Sequence, residues 1–435
     1  MQLIADLHVH SRYSRATSRD LSLRGLYLAA QRKGVDLIGT GDFTHPKYLS
    51  EISEQLVPNE AKFGFFSLKK QNAVGAADPV FILTGEVACI YSLSGKTYRN
   101  HLLLAAPDLE AVKRIVAELG ARGNLSADGR PILGLSAEEL TKIVLAASPE
   151  SLVIPAHIWT PWFSTFGSKS GFDSWRECFG KMADQILAVE TGLSSDPPMN
   201  WQIKELDNLA IISNGDAHSA PKVAREATVY ELGKPTYHNL VQALKNSARL
   251  DKKNLPADYI KYTIEFYPEE GKYHWDGHRD CGVRLSPEES RRARDICPKC
   301  RKPLTLGVLH RVNQLATRTP KEAEDYARSW RLGFKKIVPL VEVIADTVGQ
   351  KPGTKKVNAL YEELIVAGGN ELNVLLNLSK SDLSAMTRPE VVDAITRMRA
   401  GQLQINPGYD GEFGEVKIFT DAERAKLTGA QALLF

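Results

Sequence analysis

Imidazole and carboxylate side chains recur at matching places along the first half of the chain. His8 and His10 close the apolar run Leu3–Leu7, in the segment Asp6-Leu7-His8-Val9-His10. Asp42 follows Leu37–Thr40, Glu86 follows Val80–Thr84, His157 follows Leu152–Pro155, and Asp216 with His218 follow Ala210–Ser213. His101 is the exception, because it opens the run Leu102–Ala105. Side chains two apart on a strand point the same way, so His8 with His10, and Asp216 with His218, can each reach one place. One such histidine alone would read as a core residue; the repetition carries the signal. Five imidazoles and three carboxylates exceed what one ion needs, with His45 an optional further imidazole. Mixed nitrogen and oxygen ligands suit zinc, manganese or iron, and two or three ions sharing bridging carboxylates. Such a cluster makes hydroxide from bound water near neutrality and neutralises a phosphate, so phosphate-ester hydrolysis is the expected chemistry. All eight residues are assigned to metal binding and catalysis. No glycine-rich phosphate loop of the P-loop or dinucleotide kind competes with that reading.

A second cluster lies further along. Cys297-Pro298-Lys299-Cys300 has zinc-knuckle spacing, Cys281 supplies a third sulfur, and His278 stands three residues before it. Two close pairs of ligands describe a structural tetrahedral zinc site, with His274 as a rival for the fourth position. Between Arg279 and Lys302 basic residues outnumber acidic ones by eight to four. Arg284, Arg291 and Arg292 are therefore expected to meet a phosphate backbone, although a solvated charged face would have the same composition. Just after His157 come Trp159, Trp162 and Phe166, with Trp175 nearby. Rings beside a phosphodiesterase centre could stack on an extruded base, at about 1–3 kcal/mol per base, or simply fill the core.

The elements that must position these groups follow from the pattern between them. Seven short apolar runs, the five above with Leu102–Ala105 and Ile186–Val189, alternate with helical segments. Leu21–Lys33 stops at Gly34 and Leu109–Leu119 at Gly120, glycines placed for a left-handed helix end. Ser136 and Glu139 form a capping box that opens another helix. Such alternation argues for parallel strands with helical crossovers, as a closed barrel or a doubly wound sheet. In a parallel barrel the C-terminal strand ends share one face, so ligands spread over the sequence would converge. Asp251–Pro256 reads as a linker, Tyr262–Tyr267 as a strand, and Lys321–Arg399 as helical. The expected organisation is an α/β barrel over residues 1–240, a zinc-binding module over 255–312 and a helical domain over 313–435.

The metal pattern resembles the PHP (polymerase and histidinol phosphatase) family, which implies a distorted (β/α)7 barrel holding a metal cluster. That family's second motif carries a histidine where this chain has Asp42. Ser14-Arg15-Ala16-Thr17-Ser18, Gly41-Asp42-Phe43-Thr44-His45-Pro46, Glu190-Thr191-Gly192-Leu193-Ser194-Ser195-Asp196 and the His278/Cys281/Cys297/Cys300 module resemble endonuclease Q, a PHP-domain family of DNA-repair enzymes. The resemblance runs over nearly the whole chain. It implies a metal-dependent endonuclease cutting 5′ of a deaminated base (uracil, hypoxanthine or xanthine) or an abasic site in single- or double-stranded DNA. It also implies zinc in the module and zinc, magnesium or manganese in the barrel. Gln431-Ala432-Leu433-Leu434-Phe435 is similar to half of a sliding-clamp-binding motif, so a clamp is a further expected partner.

Composition narrows the field. The 435 residues are 43% hydrophobic and 25% charged, the profile of a folded chain of two or three domains. No run of about 18 apolar residues or signal-like start occurs, so no membrane role and a cytoplasmic location are expected. Net charge is only +3 and does not itself announce nucleic acid. A small-molecule phosphomonoesterase is the alternative enzyme, although it needs neither a zinc module nor the chain beyond the barrel. A non-catalytic binding module is the third reading, and the full ligand complement argues against it.

Overall fold

The structure is a computed structural model that describes residues 1–69 and 78–432. Each of the seven apolar runs contributes to a strand, and their directions are mixed. Gln2–Asp6, Leu37–Gly39 and the start of Val80–Leu93 are parallel neighbours in the main sheet. Lys96–Ala106 then runs antiparallel to Val80–Leu93, and Leu152–Pro155 antiparallel to Lys96–Ala106. Ala188–Glu190 and Ala210–Ile212 form a parallel pair, while Ala227–Glu231 lies antiparallel on the first strand. The expectation of uniformly parallel strands fails at one place for a plain reason. Leu93 and Lys96 pair directly across Ser94 and Gly95, whose φ values are +50° and +81°, a two-residue turn that needs no helical crossover.

That hairpin explains the one histidine that broke the pattern. Its register sets His101 opposite Ala88 and Leu103 opposite Glu86. Glu86 and Ala88, two apart, share a face, so His101 joins Glu86 on it although its strand runs the other way.

The helices keep their expected ends with small shifts. Ser22 caps Leu23–Lys33, and Gly34 closes it at φ +86°. Ser136 and Glu139 form both bonds of the capping box on Ala137–Ala147. Gly120 is the last residue of Leu109–Gly120, with Ala121 as its cap.

The sheet continues past residue 240. Beyond Asp251–Pro256, the strand Tyr259–Glu265 pairs antiparallel with Ala227–Glu231 and parallel with Phe334–Lys336. A single sheet thus takes strands from all three expected regions. The zinc-ligand candidates sit on the hairpin Asp276–His278/Val283–Leu285 and the turn after Pro287–Arg292. Helices Leu340–Val348, Lys355–Gly368, Glu371–Leu376 and Pro389–Arg399 pack through Val343, Leu364, Leu375 and Ile395. Buried Lys33 meets Glu371 at 2.7 Å, tying this bundle to the first helix. Among the described residues no helix is long and apolar enough to cross a membrane. The terminal clamp-like motif lies outside the described residues, apart from the helical backbone of Gln431 and Ala432.

Candidate metal centre

Two chain segments run side by side to build one half of the site. Val9 and Ala217 bridge in parallel, and the His10 amide donates to the Ala217 carbonyl at 3.1 Å. Asp216 Oδ1 then lies 3.1 Å from His10 Nε2 and 3.6 Å from His8 Nε2. His218 flanks them, its ring 4.5 Å from that of His10, with its side chain 28% exposed at the mouth.

The other half comes from the hairpin and from the strand Leu152–Pro155. Glu86 Oε1 is 2.8 Å from His101 Nδ1 and 3.4 Å from His157 Nε2. Its other oxygen, Oε2, is 3.3 Å from His10 Nε2 and 3.5 Å from His8 Nε2. Donor atoms of His8, His10 and Asp216 lie within 4.8 Å of one another, as do those of Glu86, His101 and His157. Glu86 therefore reaches both triads.

Asp42 stands elsewhere. Its carboxylate accepts from the Ser11 amide and hydroxyl (2.6 Å each) and from the Ser14 hydroxyl (2.9 Å), and lies 3.1 Å from Nδ1 of His10. The expected ligand thus sits behind an imidazole rather than among the converging donors. Its chain segment faces the far side of the His10 ring. Glu190, which the motif reading left without a role, stands in the same relation to His8. Both its oxygens are 3.0 Å from Nδ1, and it also takes bonds from the His157 amide and the Asn214 amide group. Carboxylates that grip the outer nitrogen of an imidazole fix its tautomer and aim the inner one.

The backbone is strained around these groups. Asp42, His157 and Asp216 adopt φ of +45°, +33° and +44°, which non-glycine residues rarely hold without a compensating purpose. Gly192 permits the approach of His157, since a Cβ there would fall 2.3 Å from the His157 Cβ. Asp6 accepts from the Gly215 and Ala224 amides on either side of Asp216 and His218; burial pushes its carboxyl up to about 7 against those bonds.

The electrostatics ask for positive charge. Burial disfavours charged His8 and His10, yet Glu190, Glu86 and Asp216 around the first, and Asp42 beside the second, hold both well above the usual imidazole range. Burial would raise Glu86, but His101, Arg130 and His8 hold it well below the usual carboxylate range. His101 is pushed down to about 4 by burial. His8 Nε2 is wholly buried, makes no hydrogen bond, and faces two carboxylates. A buried donor left without a partner is costly, and a divalent cation would satisfy it together with the surrounding carboxylates. The donor set fits metal ions.

In the second cluster, donor atoms of His278, Cys281, Cys297 and Cys300 all lie within 4.8 Å of one another. His278 joins it, and His274 does not: His274 is buried elsewhere with Nδ1 unpartnered. Beneath the hairpin, His310 Nδ1 meets Asp276 at 2.6 Å and fastens the module to the next helix.

The aromatic expectation divides. Trp159 and Phe166 are fully buried and pack together, with Trp159 donating to Asn200 at 2.8 Å, and Trp175 is 4% exposed against Phe179. These three rings are core residues, unavailable to a base. Trp162 is 37% exposed and meets Tyr273 edge-on at 5.5 Å. Phe163, not singled out in the sequence, leans over His101 at 4.7 Å. Arg284 is engaged by Asn406 and the Pro407 carbonyl and stands over Trp275 and Tyr409, Arg292 pairs with Glu288, and Arg291 is exposed.

The whole chain matches solved structures. The lesion-specific endonuclease Q of Pyrococcus furiosus superposes with a TM-score of 0.82 at 28% identity, over 99% of both chains. An endonuclease Q bound to a 27-mer duplex with an abasic lesion at its active site gives 0.79 at 28% identity, covering 97% of this chain and 98% of that one. This chain is similar to endonuclease Q over nearly its whole length. The endonuclease Q likeness is matched by YqxK of Bacillus subtilis, an uncharacterized protein 28% identical over 96% of this chain and 99% of its own length. Uncharacterized MJ0043 of Methanocaldococcus jannaschii is 33% identical over 260 residues, and there this chain spans only 31% of the relative's length. Residues 339–402, within the helical bundle, match the MJ0043 C-terminal domain family.

Proposed function

We propose that this protein is a metal-dependent endonuclease that hydrolyses a DNA phosphodiester 5′ of a deaminated base or an abasic site. The observation that carries the reading is the spanning position of Glu86 between two triads of buried donors, His8/His10/Asp216 and Glu86/His101/His157. His218 would complete the set at the mouth. Divalent ions there would supply hydroxide from water and neutralise phosphate charge. The chain's own residues do the rest. Glu190 and Asp42 hold the outer nitrogens of His8 and His10, so both rings present Nε2 inward. Burial keeps bulk water from Glu86, while Asp216 stays one-quarter open beside His218.

The DNA substrate is supported by the abasic duplex that endonuclease Q holds at its active site. Trp162 offers an exposed ring, with half-buried Tyr273 edge-on to it, where the cluster loop meets the zinc module, suited to an unstacked base. His278, Cys281, Cys297 and Cys300 would hold a structural zinc ion that keeps the module folded. The test is incubation with end-labelled duplexes carrying one deoxyuridine, deoxyinosine or abasic site, with manganese or magnesium. A single nick on the 5′ side of the lesion is expected. Intact duplexes, with phosphate released from small monoesters, would overturn the reading in favour of a phosphatase.

A further inference from the structure

One cationic side chain reaches the cluster, and nothing above gives it a part in the reaction. Arg130 Nη1 lies 3.0 Å from Glu86 Oε2, and among the described residues no other lysine or arginine is ion-paired with a carboxylate of the two triads. Glu86 is buried, whereas the Arg130 side chain is one-quarter exposed, so the guanidinium spans the distance from the donors to the open mouth. Its other guanidinium N–H groups have no hydrogen-bond partner among the described residues.

Its position is fixed from both sides. The Gly129 amide donates to the Tyr13 carbonyl at 2.9 Å, and the Gly129 carbonyl accepts from Thr44. A Cβ at Gly129 would come within 2.4 Å of Asp42 Oδ2 and Ser14 Oγ, so only glycine lets this segment lie against the residues that hold His10. On the other side the Pro131 carbonyl accepts from the Ala88 amide at 3.0 Å, on the strand that carries Glu86. A side chain needed only to balance Glu86 could be buried with it. This one is held at the lip with most of its fork unspent.

We propose that Arg130 contacts a non-bridging oxygen of the phosphate that is cut, as a catalytic residue; the inference rests on the endonuclease reading above. A guanidinium is permanently charged, and its planar fork matches phosphate oxygens. A fixed donor in a water-poor site stabilises charge that builds on those oxygens in the transition state.

The test compares wild type, Arg130→Ala and Arg130→Lys in single-turnover nicking of a duplex with one abasic site, with metal content measured in parallel. Arg130→Ala is expected to slow cleavage about 10²–10³-fold, the loss typical of one such donor. Arg130→Lys keeps a charge for Glu86 but loses the fork, and is expected to remain at least about tenfold slow. The deciding substrate carries a methylphosphonate at the scissile position, which removes one charged oxygen. If Arg130 touches that oxygen, one of the two stereoisomers shrinks the Arg130→Ala penalty to within a few-fold. A penalty unchanged in both isomers, or Arg130→Ala cutting at the wild-type rate, overturns the assignment and leaves Arg130 as a neutraliser of Glu86. A wild-type protein that cuts no lesion duplex would instead overturn the endonuclease reading itself.

Discussion

Glu190 sets both carboxylate oxygens 3.0 Å from Nδ1 of His8, across 182 positions of sequence. The grip turns Nε2 of His8 toward Glu86 and Asp216 and leaves that atom without a hydrogen bond. Glu190→Gln keeps the size and one oxygen but removes the charge. Divalent-ion affinity of the cluster is expected to fall about 10–100-fold, the usual cost of losing such a partner. Calorimetric titration of metal into stripped protein checks it. Unchanged affinity would mean that Glu190 serves only the His157 backbone and the Asn214 side chain.

The two tryptophans of one loop should behave differently. Trp159 is buried with its indole bonded to Asn200, so Trp159→Ala is expected to cost about 3–5 kcal/mol in denaturant unfolding. Trp162 is partly open beside Tyr273, so Trp162→Ala should change stability by about 0.5 kcal/mol or less. Its effect is expected in the affinity for an abasic duplex, read by fluorescence anisotropy. Equal destabilisation by both variants would contradict this division.

A chelator strong enough to strip thiolate-bound zinc should release one zinc ion per chain from the module, with a loss of cooperativity in thermal unfolding. Cys297→Ser is expected to lower zinc content by that same ion, because Cys297 is the most buried of the four donors. Elemental analysis before and after dialysis decides the point. Zinc retained in full by Cys297→Ser would exclude this residue as a ligand.

Glu226 and Glu265 are buried at adjacent ends of paired strands, one step beyond Ala227 and Ile264. Burial, above all, raises both, and Glu265 is pushed up to about 7 against a bond from Ser213. A carboxyl group whose folded value exceeds its unfolded value binds a proton in the folded state that the unfolded chain has already lost. Stability therefore falls as pH rises from about 4.5 through 7, and the penalty is complete above that window. Glu265→Gln removes the penalty. Its melting temperature is expected to exceed that of wild type by a few degrees at pH 8 and by much less at pH 5. A pH-independent difference would contradict the buried titration.

Much of the centre is legible in the sequence because strand ends leave a simple trace. His8 with His10 and Asp216 with His218 are close pairs spaced by two, and such pairs survive any error about strand direction. His101 is legible as a donor but not in its position, since a two-residue turn at Ser94-Gly95 reversed a strand that alternation alone reads as parallel. Asp42 is misread because a carboxylate beside a motif looks the same whether it meets a metal or the back of an imidazole. Glu190 and Arg130 carry no local signature: each matters only through a partner far away in sequence. Trp159, Phe166 and Trp175 show that an aromatic-rich loop does not reveal which rings face inward. The main sheet crosses the expected boundary near residue 240 because a linker composition says nothing of where the next strand pairs.

On the proposed function, imidazoles and carboxylates far apart in sequence hold the ions that cut DNA. The most direct measurement takes wild type and the His8→Ala/His10→Ala double variant through metal analysis and lesion-duplex nicking on the same preparations. The wild type should carry metal beyond the single ion of the cysteine module and nick 5′ of the lesion. The double variant should keep only the module's zinc and leave the duplex whole. Nicking at the wild-type rate by the double variant would mean that His8 and His10 hold no ion that the cut requires.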